Sequence, residues 1–103
     1  MRFVSTRGGD TVSLDEALVN GIAPDGGLYV PVELPEFNTA DFEPAGTIPE
    51  VARVLLRPFF SDSALLGDLE QVLRETFSFP IPATALPGAD GHASLLELYH
   101  GPT

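Results

Sequence analysis

Few residues of this 103-residue chain combine a reactive type with a useful spacing. The most suggestive are Ser5, Thr6 and Arg7, which place two hydroxyls and a permanent cation beside the glycine pair at 8–9. Such a set can hold an anionic ligand, because hydroxyls donate to anion oxygens and arginine adds charge-assisted hydrogen bonds. A plain strand end explains the same residues, and the pattern alone favours that simpler interpretation.

The histidines and acidic pairs give no second reactive group. His92 and His100 fall in a predicted loop and at a predicted strand end, and the chain has no cysteine. The spacing of the two histidines in the sequence does not match the ligand spacing of a metal site. Asp15 and Glu16 begin a predicted helix, where the helix dipole favours acidic residues without any catalytic role. We therefore expect no metal site, and no nucleophile–base pair is visible from spacing.

The charge balance narrows the expected partners. Fifteen acidic residues against five basic ones give a formal net charge of −10. We therefore expect neither nucleic acid nor an anionic membrane as a partner. All five basic residues are arginine, and the sequence contains no lysine. Chemistry that needs a lysine Schiff base cannot be carried by these residues alone.

Length and composition predict one domain with one modest core. An apolar content of 44% argues against a disordered chain. No apolar run approaches the roughly 18 residues that a membrane-spanning helix needs. The first residues lack the apolar segment of a signal peptide. We expect a cytoplasmic protein.

The chain is organised around residues 21–31, where glycine and proline precede an apolar triplet. Asp25 can accept a hydrogen bond from its own backbone two residues on. Gly26 and the glycine after it can take positive φ without steric cost. A short strand is predicted over 28–30, and Pro31 is expected to end it.

The other elements are predicted from capping boxes and apolar spacing. Ser13 and Thr47 are each followed by a glutamate at the third position, which is typical of a helix start. Pro58 is expected to end or kink the second helix. Predicted helices cover about 14–20, 48–58 and 66–78, and predicted strands cover about 3–6, 28–30 and 94–99. This order indicates an α+β fold with a small sheet covered on one face.

Two of the five arginines, Arg53 and Arg57, lie four positions apart on the predicted second helix. Like charges at this spacing repel slightly unless an anion or carboxylates lie beside them. The residue pattern favours a solvated helix face.

Several segments together resemble the amino-terminal domain of threonine synthases. The matching runs are 3–8, 17–18, 21–31, 77–80 and 96–103. The most specific pair is the Asp-Gly-Gly-Leu-Tyr-Val-Pro turn and the terminal His-Gly-Pro-Thr that follows Leu-Glu-Leu-Tyr. The resemblance covers essentially the whole chain, with 32–46 and 83–93 the least distinctive parts.

Threonine synthases are pyridoxal-phosphate enzymes that convert O-phosphohomoserine and water to threonine and phosphate. In the family, the His-Gly-Pro-Thr segment runs within a few residues into Phe-Lys-Asp, whose lysine holds the cofactor. This chain ends at Thr103 and has no lysine. The resemblance therefore implies that residues 1–103 are a single amino-terminal domain, with the catalytic domain absent from this chain. It implies no catalytic residue, no cofactor-binding residue and no bound cofactor here, whereas the full-length enzyme holds pyridoxal phosphate.

The resemblance offers only neighbours of an active site as site residues. His100 and Thr103 would lie at the approach to that site. The face turned towards the catalytic domain would carry Ser5, Thr6, Arg7 and Asp25. The implied partner is the catalytic domain of the same polypeptide, and the isolated chain is expected to self-associate through an exposed apolar patch near its end.

Three functions stay open at this point. The chain can be the scaffolding and active-site-covering part of a threonine synthase, inactive by itself. It can be an independent acidic protein-interaction module. The third possibility is a small hydrolase that uses His100 with a carboxylate.

We predict that pyridoxal phosphate forms no stable covalent adduct inside this chain, because only the α-amine of Met1 could react with its aldehyde. The check is mixing, borohydride reduction and peptide mass mapping, with a lysine-containing protein of similar size as the control. A stoichiometric reduced adduct on an internal residue would contradict the prediction.

Overall fold

A computed structural model describes residues 1–88 and 90–102. The first half contains β1 (Arg2–Ser5), β2 (Val12–Ser13), α1 (Leu14–Asn20) and β3 (Tyr29–Pro31). The second half contains α2 (Ile48–Leu56), α3 (Leu69–Thr76), β4 (Ala83–Ala85) and β5 (Ser94–Leu96). Single 3₁₀ turns lie at Thr39–Phe42, Arg57–Phe60 and Leu66–Asp68. The arrangement is α+β, as the sequence predicts.

The first sheet has the order β2-β1-β3, and both pairings are antiparallel. Phe3 lies opposite Pro31, and Ser5 lies opposite Tyr29. One face of this sheet packs on α1, where Phe3 joins Leu14 and Ala17 in a buried cluster. The helix thus fixes the face of β1 that carries Ser5.

Pro31 is the last residue of β3, so the strand ends at the proline itself rather than one residue before it, where the predicted range 28–30 ends. The backbone N–H of Val32 donates to the Arg2 carbonyl at 3.0 Å, on the next residue. Along an antiparallel strand, alternate residues point their N–H groups towards and away from the partner. Pro31 therefore occupies a position on an edge strand where no donor towards β1 is needed.

The helices α2 and α3 form a second layer around Ala52, Leu69 and Leu73. Phe60, in the turn after α2, packs against this cluster and also against the cluster under the first sheet. The side chain of Phe60 therefore joins the two layers into a continuous apolar core.

The ends of α1 and α2 follow the predicted signals, whereas α3 is shorter than the predicted 66–78, since it covers Leu69–Thr76 after a 3₁₀ turn. Glu16 N donates to Ser13 Oγ at 3.1 Å, and Thr47 and Glu50 form the full capping box of α2. Gly21 closes α1 with φ +69°. The helix α2 ends at Leu56, and the proline two residues on lies in the following 3₁₀ turn, as predicted.

The predicted strand over 94–99 is shorter than expected, since β5 ends at Leu96. It pairs antiparallel with β4, which lies in a region predicted as a loop, and the two form a separate two-stranded sheet. Beyond β5 the chain turns at Tyr99 and His100, and the Glu97 carboxylate binds the Tyr99 hydroxyl. The ladder stops after Leu96 because Pro82, opposite Glu97, accepts from Glu97 N at 2.9 Å but has no N–H to donate in return.

Asp15 links the first half of the chain to the second by hydrogen bonds, so the helix dipole alone does not explain an acidic residue at this position. Its carboxylate accepts hydrogen bonds from the Ser63 hydroxyl and from the backbone N–H of Ala64, the latter at 2.9 Å. These donors lower the pKa of Asp15, with the Ser63 hydroxyl as the larger cause. The Met1 ammonium contacts Asp62 at 2.6 Å in the same region.

The chain exposes more surface than a compact monomer of its mass. Its accessible surface is 7411 Å², against about 5,600 Å² expected for a compact monomer of 11.0 kDa. Its longest dimension is 50 Å, nearly twice the other two. Within residues 1–88 and 90–102, no helix has the length and apolarity needed to cross a membrane.

Candidate functional site

The candidate site is centred on Asp25, in the turn that leads into β3. Asp25 Oδ1 accepts hydrogen bonds from Ser5 Oγ and from Gly27 N, both at 2.8 Å. The Gly27 N–H, followed by the Ser5 hydroxyl, lowers the pKa of this carboxyl group, and Arg7 adds a smaller effect of the same sign. One ionised oxygen therefore joins the end of β1 to the turn.

Backbone hydrogen bonds close this turn on both sides. Gly26 N donates to the Ala23 carbonyl at 2.8 Å, and Ala23 N donates to the Gly27 carbonyl at 3.0 Å. Thr6 continues the contact, since its hydroxyl accepts from Leu28 N at 3.1 Å and its N–H donates to the Leu28 carbonyl at 2.8 Å. The turn is therefore held to β1 by backbone and side chains together.

The two glycines of the turn are needed for different reasons. Gly26 has φ +81°, as predicted. Gly27 does not have positive φ, so the turn uses this freedom of glycine only at Gly26. A Cβ on Gly27 would instead lie 2.1 Å from Ser5 Oγ. Gly27 is thus required by close approach to β1 rather than by backbone conformation.

The geometry assigns different chemical roles to the neighbouring side chains. Ser5 is buried, and its hydroxyl already donates to Asp25 and accepts from the Arg7 backbone N–H at 3.1 Å. Ser5 is therefore a structural group rather than a nucleophile. Thr6 and Arg7 are exposed beside the turn. They are the groups of this cluster that an anionic or polar partner can reach.

His100 belongs to a second cluster, around Glu97. The Glu97 carboxylate accepts from the Thr84 hydroxyl at 2.5 Å and from the Tyr99 hydroxyl, and His100 Nε2 lies 3.4 Å from it. The ring centroids of Tyr99 and His100 lie 4.4 Å apart. The donors lower the pKa of Glu97, with the Thr84 hydroxyl as the largest cause, and the bond to Glu97 raises the pKa of Tyr99.

This geometry gives little support to a hydrolase built on His100. The Glu97 carboxylate is shared by three donors, and the nearby Thr84 hydroxyl donates to Glu97 rather than to His100. In the described part of the chain, no serine or threonine hydroxyl binds His100, and no group of acidic and histidine side chains is arranged to hold a metal.

Four of the six predicted site residues come together. Ser5, Thr6, Arg7 and Asp25 form the cluster at the turn. Among the described hydrogen bonds, none joins His100 to that cluster, and Thr103 lies outside the described residues. The sequence pattern does not reveal the contact between Thr84 and Glu97, because this contact depends on the pairing of β4 with β5.

Among the exposed apolar side chains of the described residues, one group lies on each of the two sheets. The strands β4 and β5 form a hairpin. On this hairpin and on the residues that follow it, the side chains of Leu95, Leu96, Leu98 and Tyr99 are 52–68% exposed. On the first sheet, Val30 lies opposite Val4 on the face that α1 does not cover, and Val30 is 38% exposed. Both surfaces are available to a partner that excludes water.

Comparison with known proteins places the chain at one end of larger enzymes. The family model described as "Threonine synthase N terminus" matches residues 2–77. Threonine synthase of Pseudomonas aeruginosa is 39% identical over 108 residues, which cover 100% of this chain and 23% of that protein. The chain thus spans about a quarter of the length of this relative.

Solved structures show the same likeness. The structure of pyridoxal-phosphate-bound threonine synthase from Brucella melitensis matches with a TM-score of 0.82 and 34% identity, over 99% of this chain and 23% of that one. Threonine synthase from Escherichia coli matches with a TM-score of 0.79 and 30% identity, over 100% of this chain and 24% of that one.

We predict that Gly27→Ala destabilises the chain more than Gly26→Ala does. Gly26→Ala should cost on the order of 1 kcal/mol from backbone strain. Gly27→Ala should cost more, because the new methyl group must displace the Ser5 hydroxyl from Asp25. Urea denaturation measures both, and Gly67→Ala is the control because its Cβ meets open space. Parent-like stability of both turn variants would contradict the prediction.

We predict that part of the acid sensitivity of folding comes from Asp25. Its pKa is below the ordinary value of 3.8 in the folded chain, so its contribution is present above that value and is lost as pH falls through the folded pKa. Asp25→Asn should therefore be less stable at neutral pH, and the difference from the parent should shrink below about pH 4. Urea midpoints at several pH values measure this.

The control for Asp25→Asn is Asp10→Asn, which changes an exposed carboxylate with no side-chain hydrogen bond among the described residues. The control should follow the parent curve. A constant difference between Asp25→Asn and the parent over the acid range would contradict the prediction.

Proposed function

The chain belongs to the threonine synthase family, and on that premise we propose that it is the amino-terminal, non-catalytic domain of such an enzyme. In this proposal, residues 1–103 form one domain that scaffolds and covers the active site of a catalytic domain outside the chain. The full enzyme would convert O-phosphohomoserine and water to threonine and phosphate.

The observation that carries this proposal is the extent of the match. The whole chain aligns with less than a quarter of the Pseudomonas aeruginosa enzyme, and the family model is one of an amino terminus. Such a segment is a part of a larger protein in its relatives. The excess of accessible surface over that of a compact monomer supports the same role, because a domain that packs on a partner leaves that surface uncovered by itself.

The hairpin is the surface that we propose to dock on the catalytic domain. Leu95 and Leu96 are adjacent in β5, so their side chains leave opposite faces, and both are more than half exposed. Strands covered on both faces are normally apolar on both faces. Leu98 and Tyr99 continue the apolar surface towards His100.

The site residues enter the proposal with distinct roles. Thr6 and Arg7 are proposed to face the catalytic domain, while Ser5 and Asp25 hold them in position through the turn. His100, held by Glu97, is proposed to lie at the approach to the active site together with Thr103.

The cofactor is proposed to lie on the other domain. The Brucella melitensis structure is described as a pyridoxal-phosphate-bound threonine synthase, and this chain has no lysine to form a Schiff base. In the proposal, the residues of this chain shape the entrance and exclude water but do not bind pyridoxal phosphate covalently.

We predict that the chain restores activity to a threonine synthase that lacks the matching region. The Pseudomonas aeruginosa enzyme without the segment aligned to this chain would be purified and mixed with the chain. Release of phosphate from O-phosphohomoserine should then appear, while each piece alone stays inactive. Leu98→Asp should weaken both binding and activity, because it places a charge in the proposed interface.

The matched control is Val19→Asp, which adds the same charge at a side chain that is 87% exposed on α1. It should behave as the parent does. If the parent chain neither binds the truncated enzyme nor restores phosphate release, the proposal is wrong. Failure of binding would favour the alternative function, an independent acidic interaction module, for which the net charge of −10 is the supporting observation.

A further inference from the structure

A cleft of about 650 Å³ lies between residues 36–41 and the helix α2 with its following turn. Its volume is within the range of small-molecule sites in proteins, about 300–1,000 Å³. The resemblance to threonine synthases assigns no role to this cleft. Its lining combines charges of both signs with apolar side chains.

The basic side of the cleft consists of Arg53 and Arg57, which are two of the five basic residues in the chain. Arg53 makes one loose contact, with Nε 3.8 Å from a Glu70 oxygen, and its side chain remains 41% exposed. Within the described residues, Arg57 has no carboxylate within 4.0 Å. Two like charges one helical turn apart favour a bound anion between them.

The acidic side consists of Glu36 and Asp41, which lie on the segment before α2. Asp41 Oδ2 accepts a hydrogen bond from Asn38 N at 2.8 Å, so its carboxylate is fixed in place. In the described part of the chain, neither acid forms an ion pair with the two arginines. The cleft therefore keeps positive and negative groups that do not neutralise each other directly.

The remaining lining is apolar. Phe37 packs against Phe42 with ring centroids 5.8 Å apart, which limits the movement of its ring. Val54 and Leu66 line the cleft from the helical layer. Together they offer a surface for a hydrocarbon or aromatic group between the charged sides.

We propose that this cleft binds a free α-amino acid with an apolar side chain. The ligand carboxylate would bind the guanidinium groups of Arg53 and Arg57, which match its planar geometry. The ligand ammonium group would face Glu36 and Asp41, and its side chain would pack on Phe37.

The mixed charge of the cleft selects this chemistry over simpler ligands. A plain anion would be attracted by the arginines and repelled by the two carboxylates. A plain cation would be attracted by the carboxylates and repelled by the arginines. A zwitterion satisfies both sides at once. The inference depends on this cleft alone and holds whether or not the chain docks on a catalytic domain.

The first test uses leucine and phenylalanine as probes in calorimetric titration of the 103-residue chain, with amide chemical shifts as a second readout. Saturable binding is expected, with a dissociation constant of about 1 mM because the cleft is open. N-acetyl-leucine lacks the ammonium group and leucinamide lacks the carboxylate. Each should bind about tenfold more weakly or worse. A protein terminus carries only one of the two charges, so these analogues also separate a free amino acid from a chain end.

The second test uses charge-removing variants. Arg57→Gln and Glu36→Gln should each weaken leucine binding about tenfold. Arg2→Gln is the matched control, because Arg2 lies on β1 outside the cleft and its guanidinium group binds Thr11. Absence of saturable binding to the folded parent would overturn the proposal. Equal binding of leucine and its two analogues, or parent-like binding by both cleft variants, would also overturn it.

Discussion

In the first half of the fold, a single carboxylate oxygen, Asp25 Oδ1, joins β1 to the turn that leads into β3. It accepts from a side chain of β1 and from the backbone of its own turn at the same time, so Ser5 and Gly27 approach closely. The closeness excludes any side chain at Gly27, and the burial of Ser5 follows from it. The turn then sets the register of β3 on β1, and that register decides which residues face α1 and which face solvent.

Local signals predicted most of the helical structure, because a cap or a proline acts within a few residues. The start of α1 at Ser13 and the end of α2 before Pro58 are examples. Contacts between segments that are distant in sequence could not be predicted from such local signals. The link from Asp15 to residues 63–64 needs both layers to be in place. The length of β5 depends on its partner strand β4, whereas the apolar residues of β5 alone predict a strand that extends to 99. Four of the candidate site residues nevertheless lie together, because they flank one turn and one strand.

Two independent observations support the proposed role of the chain. Membership of the threonine synthase family comes from a match that covers the whole chain but only about a quarter of its relatives. The structure shows a thin core and an apolar hairpin open on both faces, at Leu95 and Leu96. Docking would cover these surfaces, since burial of apolar area is favourable by about 25 cal/mol per Å² before the costs of association are subtracted. The cleft at Arg57 adds a binding surface that this docking account does not require.

Amide hydrogen exchange of Gly27 tests the central claim most directly. If the bond to Asp25 holds the turn on β1, the Gly27 N–H opens only when the sheet opens. Its protection should then equal that of Thr6 and Val32, whose N–H groups donate to carbonyls across the same sheet. Exchange of Gly27 at the rate of an unstructured chain, with Thr6 and Val32 still protected, would contradict the account. It would show that the sheet is stable without this bond.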